Sequence, residues 1–172
     1  IALKATALDF APVFQMAVRS VVAGVLVLLF MAWRGQRLDG ILDVWRPGLL
    51  AGSLYALEFL FLGEGLRHTS AGHAVVMLYT APIFAALGLH WKLPDERLAA
   101  VQWLGVGLAF GGIAMAFLWR DEGARAAGDA MLWGDLLALL GGAAWGATTV
   151  VVRVTRMAAL PASQTLIYQL AV

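Results

Sequence analysis

The sequence contains no cysteine and few charged residues. Without cysteine, the 172 residues can form neither a disulfide bond nor a thiolate metal site. Charged side chains make up only 13% of the residues, whereas soluble domains average about 25%. The chain therefore cannot cover an ordinary water-facing surface. A net charge of +1 also argues against a nucleic-acid partner, because such partners select strongly basic surfaces.

Motifs of membrane enzymes and channels are missing as well. The three histidines, His68, His73 and His90, form neither an HExxH pattern nor any other paired metal-ligand spacing. No Gly-x-Ser-x-Gly nucleophile elbow is found, and no repeated polar residues indicate a selectivity filter. The sequence thus predicts no enzyme activity and no metal site.

Long apolar runs dominate what remains. With 62% hydrophobic residues and a mean hydropathy of +0.82, the chain is predicted to be an all-α polytopic membrane protein. Because it begins and ends inside apolar runs, a fragment of a longer protein is expected. The predicted spans are the last turns of a first span at 1–8, then 12–33, 47–66, 71–91, 98–119 and 131–152, with a seventh beginning after 161.

Glycine spacing and loop charge add two expectations. Three GxxxG spacings, Gly48/Gly52, Gly107/Gly111 and Gly142/Gly146, predict close helix contacts in a tightly packed bundle. Loops after even-numbered spans carry six basic residues and loops after odd-numbered spans carry three. The positive-inside rule then places the loops 34–46 and 92–97 in the cytoplasm.

A weak internal repeat occurs at an offset of 149 residues. Five spans separate the two copies, so the second copy is predicted to be inverted relative to the first. Inverted repeats are typical of secondary transporters, whose substrate site lies between the halves near the membrane midplane. The matched pairs are Lys4 and Arg153, Thr6 and Thr155, Pro12 and Pro161, and Gln15 and Gln164.

Two segments resemble the EamA-type repeat of the drug/metabolite transporter superfamily. They are GLRHTSAGHAVVMLYTAPIFAALG and ERLAAVQWLGVGLAFGGIAMAF, and the resemblance continues at Gly134-Asp135-Leu136-Leu137-Ala138-Leu139. It implies a ten-span protein with both termini in the cytoplasm. Residues 1–119 would be a first five-helix repeat with a truncated first span, 120–131 an outer loop, and 132–172 the start of an inverted second repeat.

The same resemblance implies a function. Members are secondary-active transporters without prosthetic cofactors, and export of small metabolites or amino acids by alternating access is expected. Drug efflux, import, or a structural or regulatory helix bundle without transport are the alternatives. Expected partners are a small-molecule substrate, the lipid bilayer of a bacterial inner membrane, and the remainder of the second repeat. Substrate, direction, coupling ion and oligomeric state, including a homodimer, stay open.

Charged residues inside spans are the first candidates for the transport path. Glu58 lies near the middle of the third span, where a charge costs about 2.5–3.5 kcal/mol on insertion scales. Arg19 lies within about one helical turn of the same depth, and Tyr55 shares the face of Glu58. We expect Arg19 and Glu58 to line the path, to form an ion pair that only joins two helices, or to lie at the lipid edge or the headgroups. Glu58 and Glu64 are candidate proton sites.

Further polar and aromatic residues complete the prediction. His73, Tyr79, Thr80 and Trp145 are candidates for lining a substrate cavity, with hydrogen-bonded packing as the alternative for His73. Pro82 is expected to kink the fourth span and free a carbonyl near Leu78, which could accept a hydrogen bond from substrate. The remaining expectations are interfacial positions for Glu64, Arg67 and His68, helix capping by Thr69 and Ser70, a cavity position for Thr148 and Thr149, and anchoring or anion binding by Lys4 and Arg153.

Overall fold

The computed structural model describes residues 12–36, 40–118 and 128–172. Helices and turns account for these ranges, which contain no strand, so the all-α prediction is confirmed there. The predicted first span, with Lys4 and Thr6, lies outside the described residues. The α-helices are α1 (Pro12–Trp33), α2 (Trp45–His68), α3 (Ala71–Leu78), α4 (Ala81–Lys92), α5 (Ala100–Leu118), α6 (Gly128–Val154) and α7 (Ala162–Ala171).

Three segments are long and apolar enough to cross a membrane: Leu42–His68, Ala71–Lys92 and Asp129–Val154. Shorter apolar stretches lie in α1 and α5. Large apolar side chains point away from the bundle along α1, where Val21 is 64% and Leu29 is 62% exposed. Such a surface is stable against lipid or further helices rather than against water, which agrees with a multi-pass membrane protein.

Helix α6 is the centre of the bundle and packs against α2, α3 and α4. Its small residues allow backbones to meet, because a Cβ added at Gly134 would lie 2.9 Å from the Gly65 carbonyl oxygen and one at Gly142 would lie 2.9 Å from that of Met77. In lipid, such close approach supplies the packing that hydrophobic burial supplies in water. We call the contacts made by Gly134, Gly141, Gly142 and Gly146 the glycine seam.

The fourth predicted span is two helices with a break at Tyr79 and Thr80. Pro82 was expected to kink a continuous helix, but it lies in the first turn of α4, where its missing N–H breaks no hydrogen bond. The Leu78 carbonyl faces α6, at 3.0 Å from a Cβ placed on Gly142. The helix contact therefore covers the acceptor that the sequence suggested for substrate.

The other two GxxxG spacings differ from one another. Gly48 and Gly52 lie against Tyr168 of α7, whose hydroxyl donates to the Ile41 carbonyl and ties α7 to the turn before α2. Gly107 and Gly111 on α5 have no described neighbour within 4 Å of an added Cβ. The prediction of close packing thus holds for two spacings and fails, within the described ranges, for the one on α5.

Candidate functional site

A cavity of about 420 Å³ opens between α2, α6 and α7. Its volume falls in the range of roughly 300–1,000 Å³ that is usual for small-molecule sites. Tyr55 of α2 and Trp145 of α6, both predicted for the substrate path, line this one cavity. Its other polar lining residues are Thr148, Thr149, Arg153, Thr165 and Gln169. We call it the main cavity.

Trp145 also lines a second cavity of about 450 Å³ between α4 and α6. Apart from Thr149, its lining is apolar and includes Pro82 and Leu89. The indole of Trp145 therefore separates a polar cavity from an apolar one. A ligand with both a polar and an apolar part could contact both sides of this ring.

The cation of Arg19 lies over one of two aromatic rings that pack edge to face, and the other ring belongs to Tyr55 of the main cavity. Its guanidinium carbon is 4.6 Å from the Phe59 ring centroid, which is within cation–π distance. Phe59 in turn meets Tyr55 edge to face, with ring centroids 4.8 Å apart. The face of α2 that carries Tyr55 thus presents an aromatic surface with a positive charge above it.

Glu58 is almost fully buried, with 6% of its surface exposed. Its Oε2 has no hydrogen-bond partner among the described residues, and Arg19 is its nearest source of positive charge. An apolar side chain would be cheaper at this depth. Glu58 is therefore a buried acid whose Oε2 makes no hydrogen bond within the described part of the chain. It forms no ion pair with Arg19 there.

His73 makes a hydrogen bond across the bundle to Asp135 of α6. The distance from His73 Nδ1 to Asp135 Oδ2 is 2.9 Å, and Thr69 Oγ1 donates to Asp135 Oδ1 at 2.5 Å. Ser70 caps α3 as predicted by accepting from the His73 N–H at 3.2 Å. Thr69, the other residue expected to cap this helix, instead donates its hydroxyl proton to Asp135 of α6. We call Thr69, His73 and Asp135 the polar clamp.

Glu64, Arg67 and His68 lie at the exposed end of α2. Glu64 accepts from Arg67 at 3.1 Å and contacts the His68 ring at 3.2 Å, with nearly half of its side chain exposed. Exposed pairs of this kind add little to stability, because water screens them and the side chains lose freedom. Their solvated position agrees with the interfacial expectation.

The two polar residues at the α3–α4 break do not join the main cavity. Tyr79 is 49% exposed and points away from the described bundle, whereas Thr80 is 6% exposed. The Thr80 hydroxyl donates to the Met77 carbonyl at 2.6 Å and lies against Gly142. In the described residues, Thr80 is thus part of the helix packing.

Sequence reasoning missed Asp135 as a site residue and Gln169 as a cavity residue. Asp135 could have been found, because it is a carboxylate within the predicted sixth span, and charge at such a depth needs a partner. Gln169 carried no comparable signal, since a neutral amide costs less in a span. Arg153 was treated mainly as a helix anchor but lines the main cavity.

Comparison with known proteins gives a consistent result. The sequence profile of the EamA-like transporter family matches residues 1–118. An Escherichia coli K12 protein named uncharacterized inner membrane transporter YedA is 29% identical over 140 residues, which cover 78% of this chain and 42% of that protein. A Synechocystis protein named uncharacterized transporter sll0355 is 33% identical over 116 residues, covering 67% of this chain and 35% of its own length.

The chain spans about two-fifths of the length of these relatives. No solved structure matches it.

Proposed function

The chain belongs to the EamA-like transporter family, and on that premise we propose that the full-length protein is a secondary-active transporter that exports small metabolites or amino acids. The relatives carry transporter names, one of them with an inner-membrane location, so we place this protein in an inner membrane as well. Alternating access of the cavity to the two sides is the proposed mechanism.

The main cavity is the observation that carries this proposal. It lies between α2 of the predicted first repeat and α6 and α7 of the predicted second, which is where inverted-repeat transporters bind substrate. Tyr55 and Trp145 supply aromatic contact from opposite sides, and Arg153 supplies a positive charge. These groups suit a small molecule with an apolar body and at least one anionic or polar end.

Glu58 is the proposed coupling residue. A buried carboxylate with an open oxygen atom can exchange a proton when water or substrate reaches it, and its neutral form is the cheaper one in an apolar surrounding. Arg19, placed over Phe59, lies close enough to respond to the charge of Glu58. Proton uptake on one side of the membrane and release on the other would then drive export.

A flux assay on the purified full-length protein tests this function. Proteoliposomes are loaded with a mixture of proteinogenic amino acids and their toxic analogues, and efflux is followed by mass spectrometry with and without an inwardly directed proton gradient. We expect one or a few compounds to leave, and to leave faster with the gradient. No efflux of any compound across a broad panel would favour the structural helix bundle instead.

Glu58→Gln separates proton coupling from substrate binding. This change keeps the side-chain size and hydrogen bonding but removes the titratable group, so gradient-driven efflux should fall by about tenfold or more while substrate exchange without a gradient continues. Glu64→Gln, on the exposed end of the same helix, is the matched control and should retain both. Equal gradient response in Glu58→Gln and the unchanged protein would exclude Glu58 as the coupling residue.

Exchanging the two charges tests the structural alternative. If Arg19 and Glu58 only join two helices, the double change Arg19→Glu with Glu58→Arg should restore what each single change loses. If they serve the path, the double variant should fold but remain inactive. The measurement is efflux per folded protein, with folding followed by size-exclusion chromatography.

A further inference from the structure

The polar clamp carries an inference that does not depend on transport. We propose that His73 and Asp135 form a proton-binding site that holds the N-terminal half of α6 against the α2–α3 turn, with the His73 ring taking up the proton. Thr69 positions the Asp135 carboxylate for this contact.

Both oxygens of Asp135 are engaged by different parts of the chain. Oδ1 accepts from the Thr69 hydroxyl at 2.5 Å, and Oδ2 lies 2.9 Å from His73 Nδ1. An ionised carboxylate only accepts hydrogen bonds, so the proton of this contact belongs to Nδ1. The side chains of His73 and Asp135 are 10% and 15% exposed, so water can replace neither bond easily.

The clamp lies where two helix backbones touch. A Cβ on Gly134, next to Asp135, would meet the Thr69 backbone nitrogen at 2.7 Å and the Gly65 carbonyl oxygen at 2.9 Å. The α2–α3 turn and α6 cannot separate here without breaking both side-chain bonds of Asp135. Opening this end therefore leaves a carboxylate without partners in an apolar surrounding, which is strongly unfavourable.

Protonation of His73 changes the strength of this contact. A histidine gains or loses its charge between about pH 5 and 8. With a protonated ring, the contact is a hydrogen-bonded ion pair in a site that water reaches little, and this pair is stronger than the bond from a neutral ring to the same carboxylate. When the ring loses the proton, Asp135 keeps its hydrogen bond but loses the opposite charge. The contact is therefore tighter at low pH, and opening becomes easier as pH rises.

Other titratable groups near the clamp are few and can be tested separately. Helix α2 contributes Glu64, Arg67 and His68, which are exposed and bonded to one another. Helix α6 contributes Asp129, one and a half turns before Asp135, and α5 has no titratable residue between 100 and 118. Further off among the described residues, Glu58 lies earlier on α2, Tyr79 follows the last residue of α3, and His90 and Lys92 lie at the far end of α4. In the part of the chain that the structure describes, His68 is consequently the main competing source of a pH effect.

Cysteine labelling measures opening of this contact. Ala138 is fully buried, and its backbone nitrogen lies 3.3 Å from a Cβ placed on Gly65. The full-length protein carrying Ala138→Cys, with any other cysteine replaced by serine, is placed in lipid nanodiscs and treated with a maleimide. Dividing its rate by that of the exposed Ala130→Cys removes the pH dependence of the thiol itself. We expect the ratio to rise about tenfold from about pH 5 to about pH 8.

Two variants decide where this response originates. His73→Asn keeps an uncharged donor towards Asp135 and does not titrate, so its normalised rate should stay near the high value of the unchanged protein at about pH 8 and be independent of pH. The matched control, His68→Asn, should retain the full response. A pH response that persists in His73→Asn, or disappears in His68→Asn, would overturn the proposal.

Nitrogen-15 NMR of histidine-labelled full-length protein provides a measurement that needs no buried cysteine. The His73 signal, assigned by its loss in His73→Asn, should show a hydrogen-bonded Nδ1–H at high pH and a doubly protonated ring at low pH. In Asp135→Asn the Nδ1 signal should shift while the His68 and His90 signals stay in place. A His73 ring that never titrates, or that titrates identically in Asp135→Asn, would also overturn the proposal.

Discussion

The two halves of α6 differ in what their side chains do. In the first half, Gly134, Ala138 and Gly142 are buried and touch the backbones of α2 and α3. In the second half, Trp145 and Arg153 line open cavities, although Gly146 still packs on α4. Small residues let backbones approach closely, whereas a large side chain leaves volume beside it. One helix thus closes one end of the bundle and leaves space towards the other.

The closed half carries two side-chain hydrogen bonds to the α2–α3 region. Close approach at Gly134 brings Asp135 within reach of Thr69 and His73, so packing and hydrogen bonding reinforce each other there. In the open half, the Thr148 and Thr149 hydroxyls donate to carbonyls one turn earlier in α6 itself. Such bonds satisfy the two hydroxyls within α6 itself, so these side chains do not join α6 to another helix as Asp135 does.

The largest effect is expected from filling the glycine seam. The Cβ of Gly142→Val would lie 2.8–3.0 Å from Thr80 Oγ1 and two backbone carbonyls, which cannot move without disrupting α3 and α4. Loss of about 3 kcal/mol or of folded protein altogether is expected. Thermal unfolding of the full-length protein in detergent, followed by size-exclusion chromatography, measures it.

Gly107→Val on α5 is the control for that change, since its Cβ meets no described atom within 4 Å. Its effect should stay within about 0.5 kcal/mol, as for other substitutions without a close neighbour. A loss of stability in Gly107→Val as large as that in Gly142→Val would contradict the inference that Gly142 is packed and Gly107 is not.

A smaller effect is expected from removing the carboxylate of the clamp. Asp135→Ala deprives Thr69 and His73 of their shared acceptor, and leaving buried polar groups unsatisfied costs about 1–3 kcal/mol. The melting temperature should fall accordingly. Glu64→Ala removes an acceptor that also serves two residues, but an exposed one, and should leave the melting temperature unchanged. Equal melting temperatures for both variants would contradict a structural role of the clamp.

The smallest effect on folding, and a selective effect on flux, is expected in the open half. Trp145→Ala removes the ring that lines both cavities, so efflux should fall about tenfold, equivalent to roughly 1.4 kcal/mol in the rate-limiting barrier. Stability should change little, because the side chain is 38% exposed. Trp133→Ala is the control, because the Trp133 side chain is 52% exposed on the first half of α6 and lines neither cavity. An equal fall of efflux in Trp133→Ala would contradict a role of the two cavities in transport.

Much of the fold and part of the site could be predicted from particular residues. The apolar runs predicted α2 and α6 because length and hydropathy are local properties. Tyr55 and Trp145 were chosen as aromatic residues within spans, and both line the main cavity. Glu58 was chosen for its depth in the span and is buried. Their functional roles stay predictions until flux is measured.

Other details could not be read from local signals. Pro82 predicts an interruption of the fourth span, and the helix does break at Tyr79 and Thr80, just before it. The sequence does not show that proline then lies in the first turn of a new helix, where its missing N–H costs nothing. Helix α6 begins at Gly128, earlier than the predicted start at Met131, because residues that are polar or small can extend a span beyond its apolar part. The cavity role of Thr80 stays a prediction, and the bond from its hydroxyl to the Met77 carbonyl could not be foreseen from the sequence.

The sequence by itself determined that this chain forms apolar membrane helices and that it resembles a transporter repeat, since both follow from local composition and motifs. Only the tertiary structure decided which glycines became contacts and that Asp135 meets Thr69 and His73, residues more than sixty positions away. The physical reason is that apolar helices in lipid gain little from burying one face rather than another. Which faces meet depends on shape and hydrogen bonding between distant segments, and neither can be read from one segment alone.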